Sequence, residues 1–448
     1  MSGVRLDHAG PAQPGDVLIR SAHALDPRAA LDAPADLLIR DGEVAELGAP
    51  GALEAPDGAE LVDGEGLIAV PAFVDPHVHL RTPGREDEED IDSGTRAAAA
   101  GGFCAILAMP NTSPVVDTAP VLQSLRERAR AEARIPTGFL AAITRGQRGE
   151  ELTEMAELAD AGAVGFTDDG LPVVRAGVLR QALQYQRLAD RVLALHEEDP
   201  SLSGAGVMHE GEVSALLGLT GIPSVSESTT IARDAAIARY EGGRIHVQHV
   251  SAAESVDAVE RAKGDGVRIT AEVTPHHLCL SDDSVRSLDA NVKMNPPLRS
   301  EEDRRALVDA LRSGTLDCVA TDHAPHAREE KEQPFEVAPM GVTGLETAFA
   351  VLHTRLVLPG LVDLPTLVMR MTAGGEAFGL PAPKLAPGCE ANVCLIDPEA
   401  EWEVGEAGYE SRSANCAFAG QRLTGRVRMT VAGGHVAYRE RSFAIGAV

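Results

Sequence analysis

The chain has 448 residues, 44% of them apolar, and carries 40 Lys and Arg against 68 Asp and Glu for a formal charge of −28. That length suits one large α/β barrel with a smaller second domain. The charge has the wrong sign for neutralising phosphates, which argues against nucleic acid and anionic membranes as partners, although a small anion can still bind where a few Arg and His residues converge.

The first 14 or so residues are rich in Gly and Pro and read as a loose tail without the apolar core of a secretory signal. Asp16-Val-Leu-Ile-Arg20, Ala35-Asp-Leu-Leu-Ile-Arg40 and Glu43-Val-Ala-Glu-Leu47 then read as short strands between turns. The middle of the chain, 71–384, repeats an apolar strand, a loop and an Ala/Leu/Arg-rich helix. Its eight candidate strands start near Ala72, Phe103, Thr137, Ala163, Arg191, Arg244, Val267 and Leu316, which predicts a (β/α)8 barrel with its reactive groups at the carboxyl ends of the strands. Strands return at Asn392–Asp397 and Arg426–Tyr438, the latter interrupted by a Gly-Gly turn. Residues 1–70 and 385–448 are therefore expected to form one small β-sandwich from both chain ends, flanking the barrel. No stretch approaches the roughly 18 apolar residues of a membrane helix. The cysteines Cys104, Cys279, Cys318, Cys389, Cys394 and Cys416 are scattered, lack a C-x-x-C pair, and read as buried free thiols of a cytoplasmic protein.

The first barrel strand leads into Asp75-Pro-His77-Val-His79-Leu-Arg81, where two histidines at i and i+2 of an extended segment project to the same side. A lone H-x-H is weak evidence. Four further strand ends, however, each deliver a potential ligand: Asp168-Asp169 after the fourth strand, His196 after the fifth, His249 after the sixth, and Asp322-His323 after the eighth. Imidazoles with a few carboxylates suit zinc, and the number of donors exceeds what one tetrahedral ion needs. Two metals sharing a bridging group, roughly 3.5–4 Å apart, are the natural count.

These motifs, together with Met109-Pro-Asn111-Thr, Thr274-Pro-His-His277, Lys293-Met-Asn295-Pro-Pro-Leu, Ala320-Thr-Asp322-His323-Ala-Pro-His326 and Gly341-Val-Thr-Gly-Leu-Glu346, resemble the bacterial type I dihydroorotases of the amidohydrolase superfamily over nearly the whole chain. Related ring hydrolases share the first and the Asp322 motif. The resemblance implies a zinc enzyme that interconverts N-carbamoyl-L-aspartate and L-dihydroorotate in pyrimidine biosynthesis. It implies that His77 and His79 hold one zinc, His196 and His249 the second, that Asp169 contacts both, with Asp168 as the alternative bridge, and that Asp322 completes the set and carries the proton. Arg81, Asn111 and His326 would clamp the substrate carboxylate, His79 would contact the substrate as well, and Asn295 with the backbone of Met340 and Gly341 would meet the ring.

Many relatives bridge their metals with a carbamylated lysine. This chain has only Lys263, Lys293, Lys331 and Lys384, none near the fourth strand, which argues for an Asp bridge and against the hydantoinase and allantoinase branches. A non-catalytic scaffold for aspartate carbamoyltransferase would be expected to lose metal ligands, and here every position is filled. A homodimer and a complex with that transferase both stay open for an active enzyme. His276, His277 and His323 are candidates for orienting ligands, His246 should face away from His249, and His8, His23, His209, His353 and His435 read as surface or turn residues. The polar run from His326 to Phe335 suits a mobile lid and, equally, an ordinary solvated face.

Overall fold

The computed structural model describes residues 4–10, 15–441 and 443. Strands β1 (Val17–Asp26), β2 (Leu31–Arg40), β3 (Glu43–Gly48), β4 (Glu60–Asp63) and β5 (Ile68–Pro71) come first. They are followed by β6 (Phe73–Val78), β7 (Phe103–Ala108), β8 (Thr137–Phe139) and β9 (Leu193–Leu195), then by the short parallel pair β10 (Met208–His209) and β11 (Gly221–Ile222). Strands β12 (Arg244–Val247), β13 (Arg268–Val273) and β14 (Cys318–Val319) complete the middle, and β15 (Val393–Glu403), β16 (Arg422–Ala432) and β17 (His435–Arg439) end the chain.

The barrel strands pair in parallel as β6-β7-β8 and as β9-β12-β13-β14. Two gaps are closed by single bridges. Phe166 pairs with both Ala141 and Leu193, taking the fourth strand position, and Val78 pairs with His323 to join the last strand to the first. The expected strand from Ala163 is thus reduced to a point contact, because the chain turns at once into the Thr167-Asp168-Asp169 corner. At the closing seam His79 N donates to His323 O at 2.9 Å and Thr321 Oγ1 donates to the buried Asp75 carboxylate at 2.6 Å. The strands are almost entirely buried, as a barrel filled by side chains and wrapped by helices requires.

The chain ends build one continuous eight-stranded sheet in the order β17-β16-β15-β5-β1-β2-β3, with β4 added beside β1. Its halves share an apolar interior that includes Ile19, Leu37, Ile39, Val62, Leu395, Met429 and Val431. The N-terminal and C-terminal halves meet where β5 runs antiparallel to β15, Ile68 opposite Ile396. The expected terminal strands all form, whereas β4 and β5 lack a strong alternating pattern and were not anticipated.

Other expectations need correction. Residues 1–3 and 11–14 of the expected tail lie outside the described residues, but Asp7 is tied down. It exchanges backbone hydrogen bonds with Thr137 at 3.0 Å and pairs with Arg126 and Arg130. All six cysteines are free, yet Cys279 and Cys389 are only half-buried. His353 is buried between Phe349 and the Pro398 carbonyl, not at the surface. No described helix is long and apolar enough to cross a membrane.

Candidate metal centre

The carboxyl ends of the strands converge on a compact group of buried histidines and carboxylates. His77 and His79 leave β6 on the same side, as their i and i+2 spacing demands. His77 Nε2 lies 3.2 Å from Asp169 Oδ1 and 3.4 Å from Asp322 Oδ1, and His79 Nε2 lies 3.1 Å from Asp322 Oδ1 and 3.5 Å from Asp169 Oδ2. His249 Nε2 approaches Asp169 Oδ1 at 3.8 Å and His196 Nδ1 at 3.0 Å. Two overlapping triads can each hold an ion: His77, Asp169 and His249, and His77, His79 and Asp322. His196 stands one step further out, against His249.

The adjacent aspartates separate cleanly. Asp169 points into the centre, whereas Asp168 turns away and accepts from Thr144 N at 3.0 Å and from the Thr144 hydroxyl. Two other site residues sit where the backbone leaves the strand region: His249 has φ of 32° and Asp322 of 47°. Left-handed backbone at a non-glycine residue is uncommon and costs free energy, so it persists where surrounding structure over-determines it. The kinks lie two residues beyond the end of β12 and three beyond the end of β14, in the loops at the carboxyl ends of the strands.

A carboxylate that sequence reasoning overlooked organises the floor. Glu272 Oε1, on β13, accepts from His77 Nδ1 at 2.7 Å and from His249 N at 3.2 Å, and its Oε2 faces His246 Nε2 at 2.9 Å. His246 does face away from the centre, but as the outer partner of Glu272. Fixing the Nδ1 proton of His77 aims its Nε2 at Asp169 and Asp322. That Nε2 is buried and makes no hydrogen bond among the described residues. A neutral ring would direct a lone pair at two carboxylates, so the arrangement calls for positive charge between them.

The electrostatics point the same way. Burial alone would lower His77, but Asp169, Asp322 and Glu272 raise it well above the ordinary imidazole value. Burial would raise Asp169 and Asp322, but the His77 charge, with the His79 and His249 imidazoles, holds both below the usual carboxylate range. Glu272, despite complete burial, is held down to about 2 by His77 and His246. Nitrogen and oxygen donors of this kind, oriented from behind by a carboxylate, fit a divalent cation.

Around this centre the expected substrate groups are placed as follows. Asn111 bridges inward, its Oδ1 at 3.0 Å from His79 Nδ1 and its Nδ2 donating to Asp169 Oδ2 at 3.2 Å. Arg81, itself at φ 54°, donates from Nε to Pro325 O at 3.0 Å and reaches within 3.5 Å of His326. His326 Nε2 is 2.9 Å from Met340 O. Asn295 Nδ2 donates at 2.8 Å to Glu198, which also meets His196 Nε2 at 3.2 Å and accepts from the Ser203 hydroxyl. Glu198 was also overlooked, although its place two residues after His196 was a usable signal.

His323 faces Glu89 at 3.1 Å and His277 faces Pro296 O at 2.9 Å; neither side chain, nor that of His276, hydrogen-bonds to one of the six expected ligands.

A family model described as dihydro-orotase-like matches residues 66–255. The dihydroorotase of Pelotomaculum thermopropionicum is 44% identical over 426 residues, which cover 95% of this chain and 99% of that protein. The chain belongs to the dihydroorotase family. The dihydroorotase of Anaeromyxobacter sp. strain K is 46% identical over 429 residues, 95% of this chain and 98% of that protein. Among solved structures, the L-hydantoinase (dihydropyrimidinase) from Arthrobacter aurescens superposes with a TM-score of 0.85 over 96% of this chain and 97% of that one, at 24% identity, a likeness of fold. Within the dihydroorotase family an aspartate faces the centre here, and Lys263, Lys293 and Lys331 are engaged elsewhere, with Asp317 or with backbone carbonyls.

Proposed function

We propose that this chain is a dihydroorotase that opens and closes the ring of L-dihydroorotate, a reversible step of pyrimidine biosynthesis, at a centre for two zinc ions. The observation that carries the reading is the meeting of His77, Asp169 and His249 in one triad and His77, His79 and Asp322 in another, the donor atoms of each within 4.8 Å of one another, with Asn111, Arg81 and His326 alongside. His196, beside His249, is the remaining candidate ligand. Bound zinc would polarise the ring amide carbonyl and lower the pKa of a water. Asp322, ionised at rest, takes the proton as the water oxygen adds to the carbonyl carbon, and delivers it to the ring nitrogen as the C–N bond breaks. In the closing direction the same carboxylate accepts the carbamoyl nitrogen's proton as the C–N bond forms and delivers it to the hydroxyl that departs as water when the C–O bond breaks.

Arg81, Asn111 and His326 would supply cationic and donor groups for the substrate carboxylate, which a hydantoin or allantoin ring lacks. Asn295 and the backbone at Met340 and Gly341 would border the ring. Free thiols without a disulfide suit a cytoplasmic setting, where a homodimer or a complex with aspartate carbamoyltransferase could form.

The test is turnover of L-dihydroorotate by zinc-loaded protein, with hydantoin and allantoin assayed in parallel. Chelator-sensitive opening of dihydroorotate alone is expected. Turnover of hydantoin or allantoin in its place would overturn the substrate assignment, and inactivity on all three would overturn the enzyme reading.

A further inference from the structure

Lys331 lies in the polar run after the last barrel strand, where a solvated side chain was one expectation, yet it is only 9% exposed. Its Nζ donates to three backbone carbonyls: Gly341 O at 2.8 Å, Pro339 O at 3.0 Å and Lys293 O at 3.4 Å. These belong to two separate stretches of chain. One runs from Lys293 to Asn295, and the other carries Met340 and Gly341. The same stretches meet again where Gly341 N donates to Lys293 O at 3.0 Å.

Lys293 reinforces the second stretch from below. Its Nζ donates to Phe335 O at 2.6 Å, Ala338 O at 2.7 Å and Glu336 O at 3.1 Å. Neither ammonium makes a carboxylate ion pair among the described residues, so each is satisfied by backbone oxygens. Burial and the neighbouring Lys293 push the Lys331 ammonium down to about 7, a bias against charge that an apolar side chain of the same length would avoid. What the ammonium offers in exchange is a set of donors in fixed directions, and an unmet buried carbonyl is costly.

Gly341 leaves no slack. Its φ is 133°, and a Cβ there would stand 2.8 Å from Ala324 Cβ and 2.9 Å from His326 Nε2. Asn415 Nδ2 holds the same carbonyl at 3.2 Å. A shift of this stretch would therefore be felt at His326, whose Nε2 contacts Met340 O.

We propose that Lys331 is a positioning residue whose side chain ties the stretch bearing Asn295 to the stretch bearing Met340 and Gly341, and thereby sets the slot that receives the substrate ring. The tie is a matter of contacts alone; that the slot receives L-dihydroorotate rests on the proposed function.

Lys331→Met keeps an unbranched side chain one atom shorter and removes its donors. With zinc-loaded protein, KM for L-dihydroorotate should rise by about tenfold or more while kcat changes by less than about threefold, the size expected for losing hydrogen bonds from a charged group. Lys263→Met, which alters a contact to Asp317 remote from the slot, should leave both constants unchanged. Exchange of the Gly341 amide hydrogen should quicken about tenfold in Lys331→Met. Should that variant fail to fold, Lys331→Gln, which retains one amide donor group, should raise KM by a smaller factor. A wild-type KM in either folded variant, with only the melting temperature lowered, would overturn the proposal and leave the function standing. If wild-type protein does not act on dihydroorotate, the functional reading falls separately, and the exchange measurement still decides the tie: unchanged protection of Gly341 overturns it.

Discussion

The interior of the terminal sheet and the floor of the barrel mouth are equally dry and chemically opposite. The sheet buries Ile19, Leu37, Ile39, Leu395 and Met429, all at most 1% exposed. The mouth buries His77, Asp169, His249, Glu272 and Asp322, none more than 6% exposed. Removing apolar groups from water stabilises a fold, whereas burying ionised groups costs free energy unless each finds a partner. The sheet thus contributes stability, and the mouth consumes some of it to hold charges close together, as a site built for chemistry does.

If that contrast is right, substitutions in the two regions should separate activity from stability. The largest loss is expected from Asp322→Asn, which should lower kcat by about 10²- to 10⁴-fold in protein that still folds, with a smaller fall in melting temperature because His77 and His79 lose a charged partner. Parallel melting curves and turnover measurements check it. Next comes the aspartate pair: Asp169→Ala should lose bound metal on dialysis while Asp168→Ala retains it, read by elemental analysis. Equal retention would remove Asp169 from the ligand set. Glu272→Gln should cost about 10- to 100-fold in metal affinity or activity, because His77 would lose the carboxylate that orients it. In the sheet, Leu395→Ala should cost about 2–5 kcal/mol of unfolding free energy and Ile19→Val about 0.5–1.5 kcal/mol, measured by denaturant titration, with kcat unchanged wherever the protein remains folded. A comparable fall in kcat from either sheet variant would erase the distinction.

What the sequence reveals follows the same division. His77 and His79 are legible because two residues apart on a strand suffices to place them together, and the barrel rule gathers His196, His249 and Asp322 at the same rim. Asp169 could be preferred over Asp168 only by resemblance, since a corner at the end of a one-bridge strand has no periodicity to read. Glu272 was invisible for a different reason. A single glutamate in Arg268–Val273 has the look of an ordinary alternating strand residue, and its partners come from other strands, His246 and His249 from the neighbouring β12 region and His77 from 195 residues away. His246 was set aside correctly as not facing the centre, but its link through Glu272 needed the third dimension. The burial of Lys331 is not legible in a polar run that suits a lid and a solvated face equally, since nothing local announces three carbonyls converging on it.

The pairing of β5 with β15 also bears on how the chain is made. Residues 68–71 leave the ribosome more than three hundred residues before 393–396, with which they pair. Throughout that interval β5 presents an open strand edge, the sort of surface that recruits other chains. The sheet can close only when synthesis is nearly complete, so a nascent chain stalled inside the barrel would be aggregation-prone even with its barrel strands in place, and a protein shortened from the carboxyl end would inherit the same exposed edge for good.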